Sequence, residues 1–212
     1  MKLFLAVAFV AMVAATPASA QDNVLDLRFV EFNTESTVTY QNFIYDRFFK
    51  EGKIIFEALH LRIPVIDYKE ISIGAGYRLA AAGDYQLYGL AHMGFGSDPT
   101  GDATYFQPAV LLLDSKGKVT GSFFGQLYEP VDDEGVRAWL IDPLELQVSV
   151  AGPMSLGISS YLYNPAEGQA LKKIGPKVSV ADKFGATEFR VTHVDDGTAT
   201  GWEMQFRRIL VF

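Results

Sequence analysis

WEMQFRRILVF, residues 202–212, ends the chain and carries the pattern that decides the fold. Successive side chains of a β-strand point to opposite faces. One face of this stretch is apolar except for Arg208, and it carries Trp202, Met204, Phe206, Leu210 and Phe212. Chain ends normally fray in water, so an end this apolar must pack against a protein core or against lipid.

The other end of the chain predicts export. Lys2 precedes an apolar run at residues 3–15, and Ala18, Ser19 and Ala20 stand before Gln21. This order of a basic start, an apolar run and small residues is typical of a cleaved signal peptide, and the run is shorter than the roughly 20 residues of a spanning helix. We expect residues 1–20 to be a signal peptide and residues 21–212 to form one exported domain.

Composition narrows the class of protein. The 212 residues include no cysteine, and 18 basic against 25 acidic residues give a net charge of -7, which argues against nucleic acid as a partner. After Gln21 the longest apolar run is residues 109–113, too short for a membrane helix. Without cysteine, and with no two of the three histidines at a local ligand spacing, we expect neither a metal site nor a cofactor.

Alternating side chains and turn residues fill the rest of the chain. They predict about twelve strands, from residues 24–33 to residues 200–212, joined by short and longer connections that largely alternate. Sorting of connections by length is typical of membrane barrels, which have short periplasmic turns and longer extracellular loops. We therefore predict an all-β, up-and-down antiparallel transmembrane β-barrel of about twelve strands, with ten as the alternative count.

Two regions fit this pattern less well. The first two strands alternate poorly, so the role of residues 21–35 stays open between a wall strand, a plug and a periplasmic segment. Trp139 and Leu144 fall on opposite phases of one strand, which predicts a bulge near Asp142 and Pro143.

Aromatic residues at the strand ends predict two girdles at the membrane interfaces. The expected extracellular girdle contains Phe95, Tyr105, Tyr128, Trp139, Tyr163 and Trp202. The expected periplasmic girdle contains Phe48, Phe49, Tyr85, Phe184 and Phe212.

Together these features resemble a bacterial outer-membrane β-barrel. The strand count is similar to that of small monomeric solute-specific porins, such as the oligogalacturonate-specific and sialic-acid porins, although no family-specific motif matches. The terminal Phe212 with apolar residues at alternating positions before it is similar to the signal read by the barrel-assembly machinery. The resemblance implies an outer-membrane location, membrane lipid and that machinery as partners, and a channel for passive diffusion of small solutes.

The phase opposite to the apolar one should line the lumen. We expect it to contain Arg62, Arg78, Lys177, Arg190, Arg207, Tyr88 and Tyr161, together with four acids, Glu70, Glu145, Glu188 and Glu203. Five bases against four acids predict a weak anion preference, because guanidinium groups bind carboxylates and phosphates in pairs of hydrogen bonds. The lumen tyrosines offer flat surfaces to sugar-like solutes. About twelve strands should leave a narrow lumen, either open or plugged.

Other functions stay open. A soluble periplasmic barrel or sandwich that binds a ligand would place the apolar phase inward. A barrel with a structural role, or one with a lipid-modifying or protease activity, is a further alternative. None of the three histidines has the nearby serine that a lipase would need, and His193 with Asp195 and Asp196 is the strongest protease candidate. We expect the chain not to be an enzyme.

Overall fold

The computed structural model describes residues 23–32, 40–114, 117–132 and 135–212, so the expected signal peptide lies outside the described residues. Twelve strands run in chain order: β1 (Asn23–Phe32), β2 (Tyr40–Phe49), β3 (Ile54–Ile63), β4 (Tyr68–Ala82), β5 (Tyr85–Asp98), β6 (Gly101–Asp114), β7 (Val119–Pro130), β8 (Ala138–Ala151), β9 (Met154–Pro165), β10 (Leu171–Asp182), β11 (Gly185–Asp195) and β12 (Thr200–Val211). A 3-10 turn, Pro64–Ile66, joins β3 to β4. Among the described residues, no helix has the length and apolar character needed to cross a membrane.

Every strand pairs antiparallel with its neighbours in the chain, and β12 pairs with β1 to close the barrel. The predicted up-and-down barrel of twelve strands is confirmed. The first strand is part of the wall, between β12 and β2, and is neither a plug nor a periplasmic segment. At the seam the backbone of Asn23 exchanges two hydrogen bonds of 3.1 Å with Phe212, and the Asn23 side chain donates a third of 3.0 Å to the Phe212 carbonyl.

Both described chain ends lie at the same end of the barrel, because the strand number is even. The turns at this end are short and the opposite connections include the longer segments 131–137 and 166–170, the order expected for a periplasmic and an extracellular end; the two ends are named accordingly. The connection between β5 and β6, at the end that carries the longer segments, is a two-residue turn. There Asp98 accepts hydrogen bonds from the backbone amides of Thr100 at 2.7 Å and Gly101 at 3.1 Å, which stabilise the turn.

The outside of the barrel is apolar. Large hydrophobic side chains that are more than a third exposed include Ile71, Tyr77, Met93, Val110, Leu144, Leu146, Val148, Phe189, Val191, Trp202 and Met204. They belong to the phase that does not line the interior cavity. An apolar exterior of this extent suits lipid, whereas the soluble alternative would need the same phase to point inward.

The predicted bulge in β8 is confirmed. The register with β9 shifts between Ile141 and Leu144, across the cis peptide bond that joins Asp142 to Pro143. Because of this shift, Trp139 and Leu144 both lie on the outer face and Asp142 points into the lumen.

The girdle prediction is wrong for four residues. Tyr105, Tyr128, Tyr163 and Phe48 belong to the inward phase and line the cavity. These residues do lie near strand ends, but a side chain contacts the membrane only if it also points out of the barrel, and these four point inward. The exposed aromatic residues that remain are Phe95, Trp139 and Trp202 toward the extracellular end, with Phe49, Tyr85, Phe184 and Phe212 toward the periplasmic end.

Arg208, which interrupts the apolar face of β12, lies near the periplasmic edge. Its guanidinium forms an ion pair of 2.8 Å with Asp182 and donates a hydrogen bond of 2.9 Å to the Thr187 hydroxyl. A basic residue near the interface costs far less than one at the bilayer midplane, so this departure is compatible with the membrane barrel.

Candidate functional site

One cavity of about 1370 Å³ occupies the inside of the barrel. Its lining includes Ser97 and Tyr105 toward the extracellular end and Asp114 and Val211 toward the periplasmic end. Since residues of both ends line the same cavity, the described part of the barrel encloses a continuous lumen.

Six of the seven predicted lumen residues lie on the inward phase. Lys177, Arg207 and Tyr161 line the cavity directly. Arg190 pairs in register with Lys177, and Arg78 pairs with Tyr88, which places these three residues on the same inward face. A role of these six residues in binding solute stays a prediction.

Arg62 does not belong to the lumen, and the prediction that it lines the lumen is wrong. Leu59, Leu61 and Ile63 line the cavity, so Arg62 points outward, where its register partners are Gln41 and Lys69. The sequence misled because β3 carries apolar residues on its lumen phase, as β6 also does at Leu111 and Leu113.

A network of buried ion pairs covers the inner wall from β8 to β12. Glu145 contacts Lys177 at 2.6 Å and Arg190 at 2.5 Å. Glu188 contacts the same two bases at 3.1 and 2.7 Å, and Arg207 at 3.2 Å. Each charge in this network faces at least one opposite charge, so the buried groups compensate one another.

A chain of four charged side chains crosses the lumen. Arg207 holds both oxygens of Asp26 at 2.8 and 2.7 Å, Asp26 contacts Arg28 at 3.0 Å, and Arg28 contacts Asp142 at 2.8 Å. Strand β1 carries Arg28 and β8 carries Asp142, and four strands separate them on the shorter way around the barrel. We call Arg207, Asp26, Arg28 and Asp142 the lumen bar, because their contacts bridge the barrel and do not follow its wall.

The opposite wall, from β2 to β6, is acidic. Asp46 and Glu57 are direct cross-strand neighbours, and Glu57 contacts His92 at 3.0 Å. Glu70 accepts hydrogen bonds from three neutral donors, Tyr68 at 2.8 Å, Ser72 at 2.7 Å and Gln107 at 2.7 Å. These three donors are neutral groups, so none of them forms an ion pair with Glu70.

Inward glycines keep the space beside this wall open. A Cβ added at Gly74 would collide with the ring of His92, and one at Gly94 would lie 2.5 Å from the Gln107 amide. The absence of a side chain at these positions lets His92 and Gln107 lie flat against the wall. Both the members of the lumen bar and the acids of this wall line the cavity.

The charged side chains that point into the lumen differ from those on which the expected anion preference rests. Among the described strand residues that point inward there are six bases, Arg28, Arg78, Lys173, Lys177, Arg190 and Arg207. The same set contains nine acids, Asp26, Asp46, Glu57, Glu70, Asp98, Asp142, Glu145, Glu188 and Glu203. The acids outnumber the bases, so the premise of five bases against four acids does not hold.

Sequence reasoning missed several of these groups. Asp26 and Arg28 alternate with Leu25 and Leu27, which was a usable signal, but the poor pattern later in the same strand obscured it. Lys173 was overlooked although it shares the phase of Lys177, and it forms a buried ion pair of 2.6 Å with Glu203. Asp142 could not be assigned, because the bulge decides its direction.

Tyrosines cluster in the extracellular half of the lumen. Tyr105 and Tyr128 meet edge to face with ring centroids 5.5 Å apart, and the Lys173 ammonium lies 4.8 Å from the centroid of the Tyr161 ring. Tyr163 also lines the cavity. These rings present apolar faces with hydroxyl groups at their edges, a surface on which a hydroxylated ring can pack.

Asp195 and Asp196, the carboxylates considered for a protease, form hydrogen bonds that stabilise the turn between β11 and β12. Asp195 accepts a hydrogen bond of 2.8 Å from the backbone amide of Gly197, and Asp196 accepts one of 2.7 Å from the hydroxyl of Thr198. This hydroxyl and the amides of residues 198 and 199 lower the pKa of Asp196, which makes its carboxylate a weaker base. His193 points outward and packs edge to face on Trp202 at 5.4 Å.

A closed, up-and-down barrel of twelve antiparallel strands, apolar outside and polar inside, is the architecture of the small outer-membrane porins. The particular structures that share it are the KdgM porin, the NanC porin and the COG4313 outer membrane channel from Pseudomonas putida F1. Their architecture confirms the predicted resemblance in fold.

The likeness extends over nearly the whole chain but is weak in sequence. The KdgM porin is 9% identical with a TM-score of 0.59, and the match covers 87% of this chain and 97% of that one. The NanC porin is 8% identical with a TM-score of 0.60, and the match covers 89% of this chain and 99% of that one. The Pseudomonas channel is 12% identical with a TM-score of 0.60, and the match covers 94% of this chain and 98% of that one. No protein-family model and no curated protein matches the chain. Identities this low establish the fold alone.

Proposed function

We propose that the protein is an outer-membrane channel through which small polar solutes diffuse passively, without catalysis. The observation that carries this proposal is the cavity of about 1370 Å³ inside the barrel, because residues near both ends of the strands line it. Buried ion pairs hold the bar and the network in place, so the passage does not depend on a mobile segment of the wall.

We further propose that the channel prefers cations over anions and admits neutral sugar-like solutes. The acidic wall carries Asp46, Glu57 and Glu70, whereas the bases are mostly held in ion pairs across from it. In a narrow lumen, an excess of one charge biases which ions enter. The KdgM porin has been solved with disordered oligogalacturonate, a polyanion. The acidic wall of this chain favours uncharged rings that pack on the lumen tyrosines instead.

The experiment is a reversal-potential measurement in a planar bilayer with a potassium chloride gradient. The protein should show a reversal potential on the cation-selective side, and the Asp46→Asn, Glu57→Gln double variant should shift it toward anions. Asp195→Asn is the matched control, because this acid lies in the extracellular turn outside the lumen, and it should leave the reversal potential unchanged.

Two results would contradict the selectivity proposal. One is anion preference of the unmodified protein, and the other is an equal shift in the Asp195→Asn control. A folded barrel that carries no current at all would contradict the channel itself.

A further inference from the structure

Arg62 and Lys69 form a pair of like charge on the outer face of the barrel. They are direct cross-strand partners on β3 and β4, close to the connection at the extracellular end. Both are exposed, and Asp67 contacts only the Lys69 ammonium of this pair, at 3.1 Å. One carboxylate thus stands beside two cations, and the site keeps a net positive charge.

Like charges directly opposite each other on a sheet destabilise it unless an anion lies between them. The other described bases of this outer rim have acidic neighbours. Arg137 pairs with Glu129, and Lys172 lies opposite Asp195 in the register of β10 and β11. Within the described part of the rim, the pair of Arg62 and Lys69 is therefore the place where positive charge is left without a matching number of carboxylates.

The pair lies directly above the apolar belt. Ile71 lies two residues after Lys69 on the same outer face, and Phe95 is its cross-strand partner on β5. The Ile71 and Phe95 side chains are 42% and 44% exposed. A step from exposed apolar side chains to exposed bases marks the height at which acyl chains give way to headgroups. His60 adds polarity on the same face, two residues before Arg62.

We propose that Arg62 and Lys69 bind a phosphate of an outer-leaflet glycolipid, with the acyl chains of that lipid packed on Ile71 and Phe95. This proposal rests on the outer-membrane location but not on conduction through the lumen. The guanidinium of Arg62 offers two parallel donors to phosphate oxygens, and the Lys69 ammonium adds a second charge from the neighbouring strand.

The test is native mass spectrometry of the detergent-purified full chain, titrated with a bisphosphorylated lipid A and with the same glycolipid after removal of both phosphates. The phosphorylated lipid should bind, and the dephosphorylated one should bind at least about tenfold more weakly. The Arg62→Gln, Lys69→Gln double variant should lose affinity for the phosphorylated lipid by a similar factor. Lys172→Gln, a matched change at the same rim, should keep it.

Equal binding of the two glycolipids, or equal loss in the Lys172→Gln control, would overturn the proposal. Inorganic phosphate that competes fully at the same concentration as the lipid would also overturn it, because the site would then hold an adventitious ion only. Equal binding of an anionic phospholipid would overturn the assignment to a glycolipid. Single-channel current of the double variant separates this proposal from the channel, since the current should stay unchanged while lipid binding falls.

Discussion

The lumen bar gives the sharpest prediction, because its two ends are not equivalent. Arg28 contacts two carboxylates, Asp26 and Asp142, whereas Arg28 is the one base within ion-pair distance of Asp142 among the described residues. Replacing Arg28 with alanine therefore leaves Asp142 without its ion pair inside the barrel. Replacing Asp142 with alanine leaves Arg28 still paired with Asp26.

The expected costs follow from this asymmetry. Removing one partner of a buried ion pair costs about 3–5 kcal/mol, and Arg28→Ala should lower the free energy of unfolding by about 3 kcal/mol, since Asp142 keeps some contact with lumen water. Asp142→Ala should cost about 1–2 kcal/mol, the loss of one charged hydrogen bond. The double variant should cost no more than Arg28→Ala alone, so the coupling energy should be at least about 1 kcal/mol.

Urea unfolding of the barrel in lipid vesicles, followed by tryptophan fluorescence, measures these differences. The conductance of the same variants should rise wherever the Arg28 side chain is absent, because the bar no longer narrows the passage. Arg137→Gln removes an exposed ion pair with Glu129 outside the lumen and should change neither quantity by much. Additive single effects together with an unchanged conductance would refute a bar that crosses the lumen.

Three further predictions test the wall. Deleting Phe212 removes the hydrogen bonds to Asn23 that close the seam, so the fraction of folded protein in heat-dependent gel mobility should fall, and an unchanged folded fraction would oppose this role. Trp202 is 55% exposed on the outer face, and brominated lipids should quench it in a variant that lacks Trp139; absence of quenching at every bromine depth would place the side chain elsewhere. Gly74→Ala puts a Cβ against the His92 ring and 2.5 Å from the Ala91 carbonyl oxygen, so it should lower the urea midpoint of unfolding. A midpoint equal to that of the unmodified protein would show that the neighbouring side chain and backbone shift to accept the Cβ.

Strand alternation predicted the wall well where one phase is strictly apolar. In β4 the apolar residues Ile71, Ile73 and Tyr77 face outward as expected, and the same holds for Leu144, Leu146 and Val148 in β8. Alternation failed at Arg62 because β3 places Leu59 and Leu61 in the lumen. A strand with leucines on one phase reads the same whether that phase meets lipid or a lumen wall.

The contacts across the lumen could not be predicted from the sequence. Arg28 and Asp142 are 114 residues apart, and their meeting depends on barrel closure, on the shear of the strands and on the bulge that turns Asp142 inward. The balance of charge in the lumen depends in turn on such assignments. Correct assignment of Arg62 and Glu57 in β3, of Asp142 at the bulge, of Lys173 and of the first two strands changes the excess from basic to acidic.

Single-channel recording tests the central claim most directly. The refolded protein, with its folded state verified by heat-dependent gel mobility, is added to a planar bilayer in potassium chloride. An open lumen beside the bar predicts discrete current steps with a reversal potential of cation-selective sign, and the same protein unfolded by heat should give none. A folded barrel that inserts but carries no current would contradict the account.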